Sequence, residues 1–159
     1  MPKLPNRLYY PAFALVMLFF VLVFIPRAKI QKFFWFSLLW GTGLDTALIW
    51  LFKSLNLYHY VNAEPFEFYG SPFFINFSWA TAVMLFLHFL PLRKEWYVLP
   101  IYLSSFGLVG LYIGVFFTNA GLIVETHWNE LLRFPLVTLC FYACYKHYRH
   151  LKIKDEVSI

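Results

Sequence analysis

The chain has 159 residues, of which 61% are apolar and only 13% are charged, and its mean hydropathy is +0.63. This composition excludes an ordinary soluble domain, because soluble proteins carry about 25% charged residues. The charges that give the net value of +5 lie mostly in short segments between apolar runs. They therefore indicate membrane topology, and no nucleic-acid partner is expected.

Apolar runs of about 18 residues or more can cross a bilayer as helices. Four runs have this length: Leu8–Ile25, Phe33–Phe52, Pro72–Leu90 and Trp96–Phe117. A fifth run, Leu131–Tyr145, is shorter and needs its flanks from Trp128 to His147 to complete a crossing. We therefore predict an all-α, polytopic integral membrane helical bundle that forms one transmembrane domain over residues 1–159. Its five transmembrane helices cover about 8–25, 33–52, 72–90, 96–117 and 128–147.

The distribution of Lys and Arg predicts the orientation, since cytoplasmic loops carry an excess of these residues. The segments 26–32, 91–95 and 146–159 carry nine of the thirteen Lys and Arg residues. Five spans bring these three segments to one side of the membrane, which is then the cytoplasm. We expect a multi-pass protein of the plasma membrane with its N-terminus outside and its C-terminus in the cytoplasm.

Small residues mark the faces through which membrane helices approach one another closely. The fourth span carries Gly107, Gly110 and Gly114, and the second and third spans carry pairs of small residues four positions apart. These pairs are Ser37 with Gly41, Gly43 with Ala47, and Ser78 with Ala82. We expect spans two, three and four to pack together through these faces. The alternative use of Gly110 and Gly114 is homodimerisation.

Asp45 lies within the second apolar span, about 10 Å from its outer end by helix rise. Ionisable residues at this depth are costly and usually face a partner or a wet cavity. Asn76 and Arg133 lie near the outer ends of their own spans, so Asp45, Asn76 and Arg133 form a candidate polar pocket. Either Asp45 and Arg133 form an ion pair that fixes helix register, or the pocket opens outward to a head group or a proton.

The two longer outer loops, 53–71 and 118–130, concentrate acids and histidines. This candidate outer-loop cluster consists of His59, Glu64, Glu67, Glu125, His127 and Glu130. Carboxylate and imidazole groups perform acid–base chemistry or bind divalent ions, but no metal-binding spacing such as H-E-x-x-H occurs. We therefore predict no metal or cofactor and assign no catalytic residue. The amphipathic stretch Leu122–Leu132 is expected to form an interfacial turn of helix.

Four short motifs resemble small uncharacterised multi-span membrane proteins of endospore-forming Firmicutes. They are Gly43-Leu44-Asp45, Leu57-Tyr58-His59-Tyr60, Pro72-Phe73-Phe74-Ile75-Asn76 and His127-Trp128-Asn129. The resemblance covers the chain from Phe33 to Tyr148. It implies a bacterial plasma membrane setting and transfers no catalytic residue.

Two functions are compatible with this sequence. The first is a non-enzymatic membrane assembly or partner-binding subunit, whose partners are the lipid bilayer and either another membrane protein or a second copy. The alternative is an outward-facing membrane enzyme or carrier that acts on a lipid-like or isoprenoid substrate through the polar pocket around Asp45. Whether the protein is an enzyme is therefore left open, and the first function is favoured because no reaction motif occurs.

Overall fold

The computed structural model of the chain describes residues 8–68, 70–91 and 95–157, without the side chains of Phe68, Glu130 and residues 152–157. The protein is mostly helical, at 75% in five helices, which confirms the prediction of a helical fold. The helices are α1 Tyr9–Phe24, α2 Arg27–Ser54, α3 Phe73–His88, α4 Val98–Asn119 and α5 Arg133–Val157.

Two of the described helices, α2 with 28 residues and α4 with 22, are long and apolar enough to cross a membrane. The helices α1 and α3 are apolar but have 16 residues each, a length of about 24 Å. This is shorter than the hydrocarbon core of about 30 Å. The five spans, their bounds and their orientation therefore stay predictions.

The chain divides into two compact units. The first unit comprises the chain up to Phe89 together with Val115–Asn129, and it contains α1, α2, α3 and two small β-sheets. Its centre is α3, from which Ile75, Phe86 and Leu87 are buried. Both α1 and α2 pack against α3.

The helix α2 is not regular along its length. Residues Leu38–Gly43 form a π-helical segment between two α-helical halves. Gly41 lies directly against the backbone of Ala80 in α3, where a Cβ atom at position 41 would overlap the neighbouring chain. Gly43 lies on the exposed side, where a Cβ would meet only Leu38 and Leu39 of its own helix. Gly41 and Gly43 therefore lie on opposite faces of α2.

The second unit comprises Leu90–Gly114 and the chain from Glu130 onward. Here the glycines of α4 lie against α5: a Cβ at Gly107 would meet Thr138, one at Gly110 would meet Val137, and one at Gly114 would meet Arg133. The sequence predicted this glycine face against spans two and three. The structure places it against the fifth helix instead, because small residues specify a close approach and not the identity of the partner helix.

Four short strands form the two sheets of the first unit. They are β1 Tyr58–Tyr60, β2 Glu67–Phe68, β3 Ser71–Pro72 and β4 Ile123–Glu125. β1 pairs antiparallel with β4, and β2 pairs antiparallel with β3. The expected helical turn over Leu122–Leu132 is therefore wrong for β4, and a 3₁₀ turn covers only Glu130–Leu132.

Replacing Gly41 by Ala tests the contact between α2 and α3. Because the new methyl group would overlap the backbone around Ala80, we expect the free energy of unfolding to fall by about 1–3 kcal/mol. Gly43→Ala, two residues away in the same helix, is the matched control. It should be neutral or stabilise the protein by up to about 1 kcal/mol, since Ala favours a helix over Gly. Reversible unfolding in mixed detergent micelles measures both, and equal losses would contradict the assigned contact.

Candidate functional site

Asn76 is a polar junction in the core of the first unit, with only 2% of its surface exposed. The hydroxyl of Ser71, in β3, donates a hydrogen bond of 2.6 Å to Asn76 Oδ1. The hydroxyl of Thr42, in the π-helical segment of α2, donates to the backbone oxygen of Asn76 at 3.0 Å. Asn76 therefore connects α3 to α2 and to the sheet formed by β2 and β3. These hydrogen bonds satisfy the buried oxygen atoms of Asn76.

Asp45 lies on the inward side of α2. Gly41, Ile49 and Phe52 occupy the same side by helical spacing, and all three are buried. Asp45 itself is half-buried, and its Oδ2 is enclosed with no hydrogen-bond donor among the described residues. Since burying an ionised carboxylate without a donor is costly, this atom is an unsatisfied polar group of the bundle.

Arg133 is the first residue of α5 and belongs to the second unit. Its side chain is 7% exposed and lies over Gly114, where only a hydrogen atom leaves room for the guanidinium group. Asp45 and Asn76 belong to the first unit. The ion pair between Asp45 and Arg133, and the three-residue pocket that includes them, therefore stay predictions.

The two outer loops begin with the same helix-ending motif. After α2, Leu57 N–H donates to Phe52 O and Asn56 N–H donates to Lys53 O, and Asn56 has a φ of 54°. After α4, Leu122 N–H donates to Phe117 O and Gly121 N–H donates to Thr118 O, and Gly121 has a φ of 70°. These are Schellman caps, which need a left-handed residue such as Gly or Asn. Each cap turns the chain at the end of its helix, so that the two loops run toward each other.

Backbone hydrogen bonds then join the two loops within the first unit. Val61 N–H donates to Leu122 O, and the N–H groups of Thr126 and His127 both donate to Leu57 O. The register pairs Tyr58 with Glu125 and His59 with Val124. Because side chains alternate across a strand, His59 and Glu125 lie on opposite faces of this sheet.

The acids and histidines of the outer-loop cluster are dispersed over separate local contacts. Glu67 pairs with Lys53 at 3.8 Å, Glu125 accepts a hydrogen bond of 3.2 Å from Thr118, and His127 Nδ1 lies 3.3 Å from Asn56 O. The side chain of Glu130 lies outside the described residues. No group of three His, Cys, Asp or Glu side chains in the described part of the chain is placed to hold a metal ion. None of these three contacts joins an acid to a histidine.

Sequence reasoning missed the residue that connects the loops to the helices. Tyr10, near the start of α1, is 2% exposed, and its hydroxyl oxygen lies 2.6 Å from Val61 O and 2.9 Å from Leu122 O, so its single proton is shared between these two acceptors. Its ring stacks on Phe117 and meets Tyr60 edge-on. Tyr10 lies within an apolar run of α1, and a tyrosine buried in such a run usually needs a hydrogen-bond partner, which is the signal that could have identified it.

A cavity of about 320 Å³ lies in the first unit, beside the N-terminal ends of α1 and α3. The segment 63–66 forms another of its walls, and Glu64 is the one charged residue among the described residues of its lining. The lining includes the rings of Tyr10, Phe66 and Phe74. None of Asp45, Asn76 and Arg133 lines this cavity. Of the predicted site residues, only Glu64 lies at it.

No protein-family model, curated protein or solved structure matches the chain. The resemblance to small membrane proteins of endospore-forming Firmicutes therefore stays a prediction. The function is inferred below from the geometry of the described residues.

Replacing Tyr10 by Phe tests the connection between α1 and the loops. The change keeps the ring but removes the hydroxyl, so Val61 O and Leu122 O lose a donor. We expect a loss of about 1–2 kcal/mol in the free energy of unfolding and faster proteolysis in the loop 55–72. Tyr9→Phe, which keeps its ring contact with Phe116, is the control and should change stability by less than about 0.5 kcal/mol. Equal effects of the two variants would contradict this role of Tyr10.

Proposed function

We propose that this protein is a multi-pass protein of a bacterial plasma membrane and acts there as a non-enzymatic assembly or partner-binding subunit. The apolar composition and the two helices of spanning length support the membrane setting. The dispersed contacts of the outer-loop acids and histidines favour a role without catalysis. The assembly role is inferred from one feature of α2.

That feature is an exposed pair of small residues on a helix of spanning length. Gly43 and Ala47 both lie on the exposed side of α2, four residues apart, between Leu39 and Trp50, which are 61% and 58% exposed. Among the described residues of the first unit, no atom of α1 or α3 lies within 4 Å of a Cβ built at Gly43. Small residues four positions apart let two membrane helices approach closely, with bulky neighbours packing around the contact. This side of α2 therefore suits a partner helix.

The other small-residue faces are already occupied within the chain. Gly41 lies against Ala80, and Gly107, Gly110 and Gly114 lie against α5. Homodimerisation through Gly110 and Gly114 would compete with those contacts. The Gly43–Ala47 face is the better candidate for contact with a second copy or another membrane protein.

The alternative function, an enzyme or carrier acting through a pocket around Asp45, has less support. Asp45 is not among the described lining residues of the cavity beside α1 and α3, so that cavity does not support this function. The unsatisfied Oδ2 of Asp45 is the one observation that favours it. We therefore retain the assembly role.

The membrane topology is tested by labelling single cysteines with a membrane-impermeant maleimide. The background carries Cys140→Ala and Cys144→Ala, so that it has no native thiol. Thr126→Cys then places a single thiol at an exposed position on the predicted outer side, and Gln31→Cys places one at an exposed position on the predicted cytoplasmic side. The orientation predicts that Thr126→Cys reacts in intact cells and that Gln31→Cys reacts only after permeabilisation. Labelling of both thiols in intact cells, or the reverse pattern, would overturn the proposed topology.

The assembly role is tested with a bulky residue on the Gly43–Ala47 face. Gly43→Leu should weaken association in native membranes at least fivefold, as a loss of about 1 kcal/mol implies. Ala12→Leu places the same leucine side chain at an exposed position of α1 and is the control. Oxidative crosslinking through Ala47→Cys, in the background without the native cysteines, reports a second copy, and affinity purification reports another membrane protein. If neither association exists, or if both substitutions weaken it equally, this face is not the interface.

A further inference from the structure

The cavity beside α1 and α3 combines aromatic rings from three separate segments. Tyr10 comes from α1, Phe66 from the loop and Phe74 from α3. Tyr10 is fixed by its hydrogen bonds to Val61 and Leu122, and the rings of Phe66 and Phe74 meet edge-on with centroids 5.2 Å apart. The faces of aromatic rings carry partial negative charge and attract organic cations.

The cavity also carries one negative charge. Glu64 is exposed at its margin, and no ion pair involves Glu64 among the described residues. Glu67, three residues further on, has Lys53 as its partner at 3.8 Å. Among the described residues, the carboxylate of Glu64 therefore adds a negative charge next to the aromatic side chains of the cavity.

We propose that this cavity binds an ammonium group that carries apolar substituents. The cation lies between the accessible rings of Phe66 and Phe74 and the Glu64 carboxylate, and the apolar substituents lie against Leu8 and Pro65. The volume of about 320 Å³ is at the lower end of the range of small-molecule sites, about 300–1,000 Å³. This site does not depend on the proposed assembly role, since the Gly43–Ala47 face lies on another helix.

The charge and the lining argue against other ligands. An anion would be repelled by Glu64, the one charged residue among the described lining residues. A metal ion would find a single carboxylate there, since the other described lining residues are neither acids nor histidine or cysteine. A neutral apolar molecule would contact the aromatic rings but would have no group that interacts with the Glu64 carboxylate. An alkylammonium ion uses both features.

Calorimetric titration of the full chain in a neutral maltoside detergent tests this site. The probes are choline, butyltrimethylammonium and the uncharged carbon isostere of choline. We expect both cations to bind and the isostere to bind at least about fivefold more weakly than choline, because it lacks the charge. We expect Glu64→Gln to weaken cation binding about 2- to 5-fold. Phe66→Leu keeps an apolar wall but loses the ring, and it should weaken binding about 2- to 30-fold.

Glu95→Gln is the matched control, since Glu95 is an exposed acid that does not line the cavity. It should bind choline as the unchanged protein does. Absence of cation binding, equal binding of the uncharged isostere, or unchanged binding by Glu64→Gln in a folded protein would each overturn the proposal. Native mass spectrometry then distinguishes the source. An aminolipid retained by the unchanged protein and lost by Glu64→Gln identifies a bilayer lipid, whereas cation binding without a retained aminolipid identifies a free amine.

Discussion

The hydroxyl of Tyr10 joins three parts of the first unit at one atom. It donates toward the carbonyl groups of Val61 and Leu122, which are 51 and 112 positions away in sequence. Leu122 O also accepts the N–H of Val61, so the phenol closes a small network that includes both loops. The pairing of β1 with β4 lies beside this network, and the ring of Tyr10 forms a wall of the cavity. The loops and the cavity therefore share a single buried hydrogen-bonding group, and such groups are costly to leave unpaired.

The helices could be predicted from the sequence, whereas the strands could not. Long apolar runs indicate helices in a membrane, because a helix satisfies its own backbone hydrogen bonds there. The strands β1 and β4 have three residues each, which is too short for an alternating pattern to be distinctive. Their pairing also depends on two helix caps, at Asn56 and Gly121, and on Tyr10, which lies far away in sequence. For this reason Leu122–Leu132 looked helical while part of it forms a strand.

The candidate site was predictable only in part, and the reasons are physical. Asp45 was found because a charge stands out in an apolar span, and the structure gives its Oδ2 no donor. The acids and histidines of the loops clustered in sequence, but Glu67, Glu125 and His127 each contact a different residue outside this cluster. The cavity was missed because its walls are apolar residues from three segments. Because 23% of the residues are aromatic, the sequence does not distinguish Phe66 and Phe74 from the many other aromatic residues.

The π-helical segment Leu38–Gly43 sets the rotational phase of the second half of α2. Its hydrogen bonds run from i to i+5, so it accommodates one more residue than an α-helix of equal length. The wide turn absorbs this extra residue, so the segment Leu44–Ser54 presents the same side to α3 as a regular helix one residue shorter would. Because each residue of an α-helix turns by about 100°, a homologue of the same length with a regular α-helix here would move Asp45 away from the inward side. The side that this helix presents to α3 thus depends on its local hydrogen-bonding pattern as well as on the number of its residues.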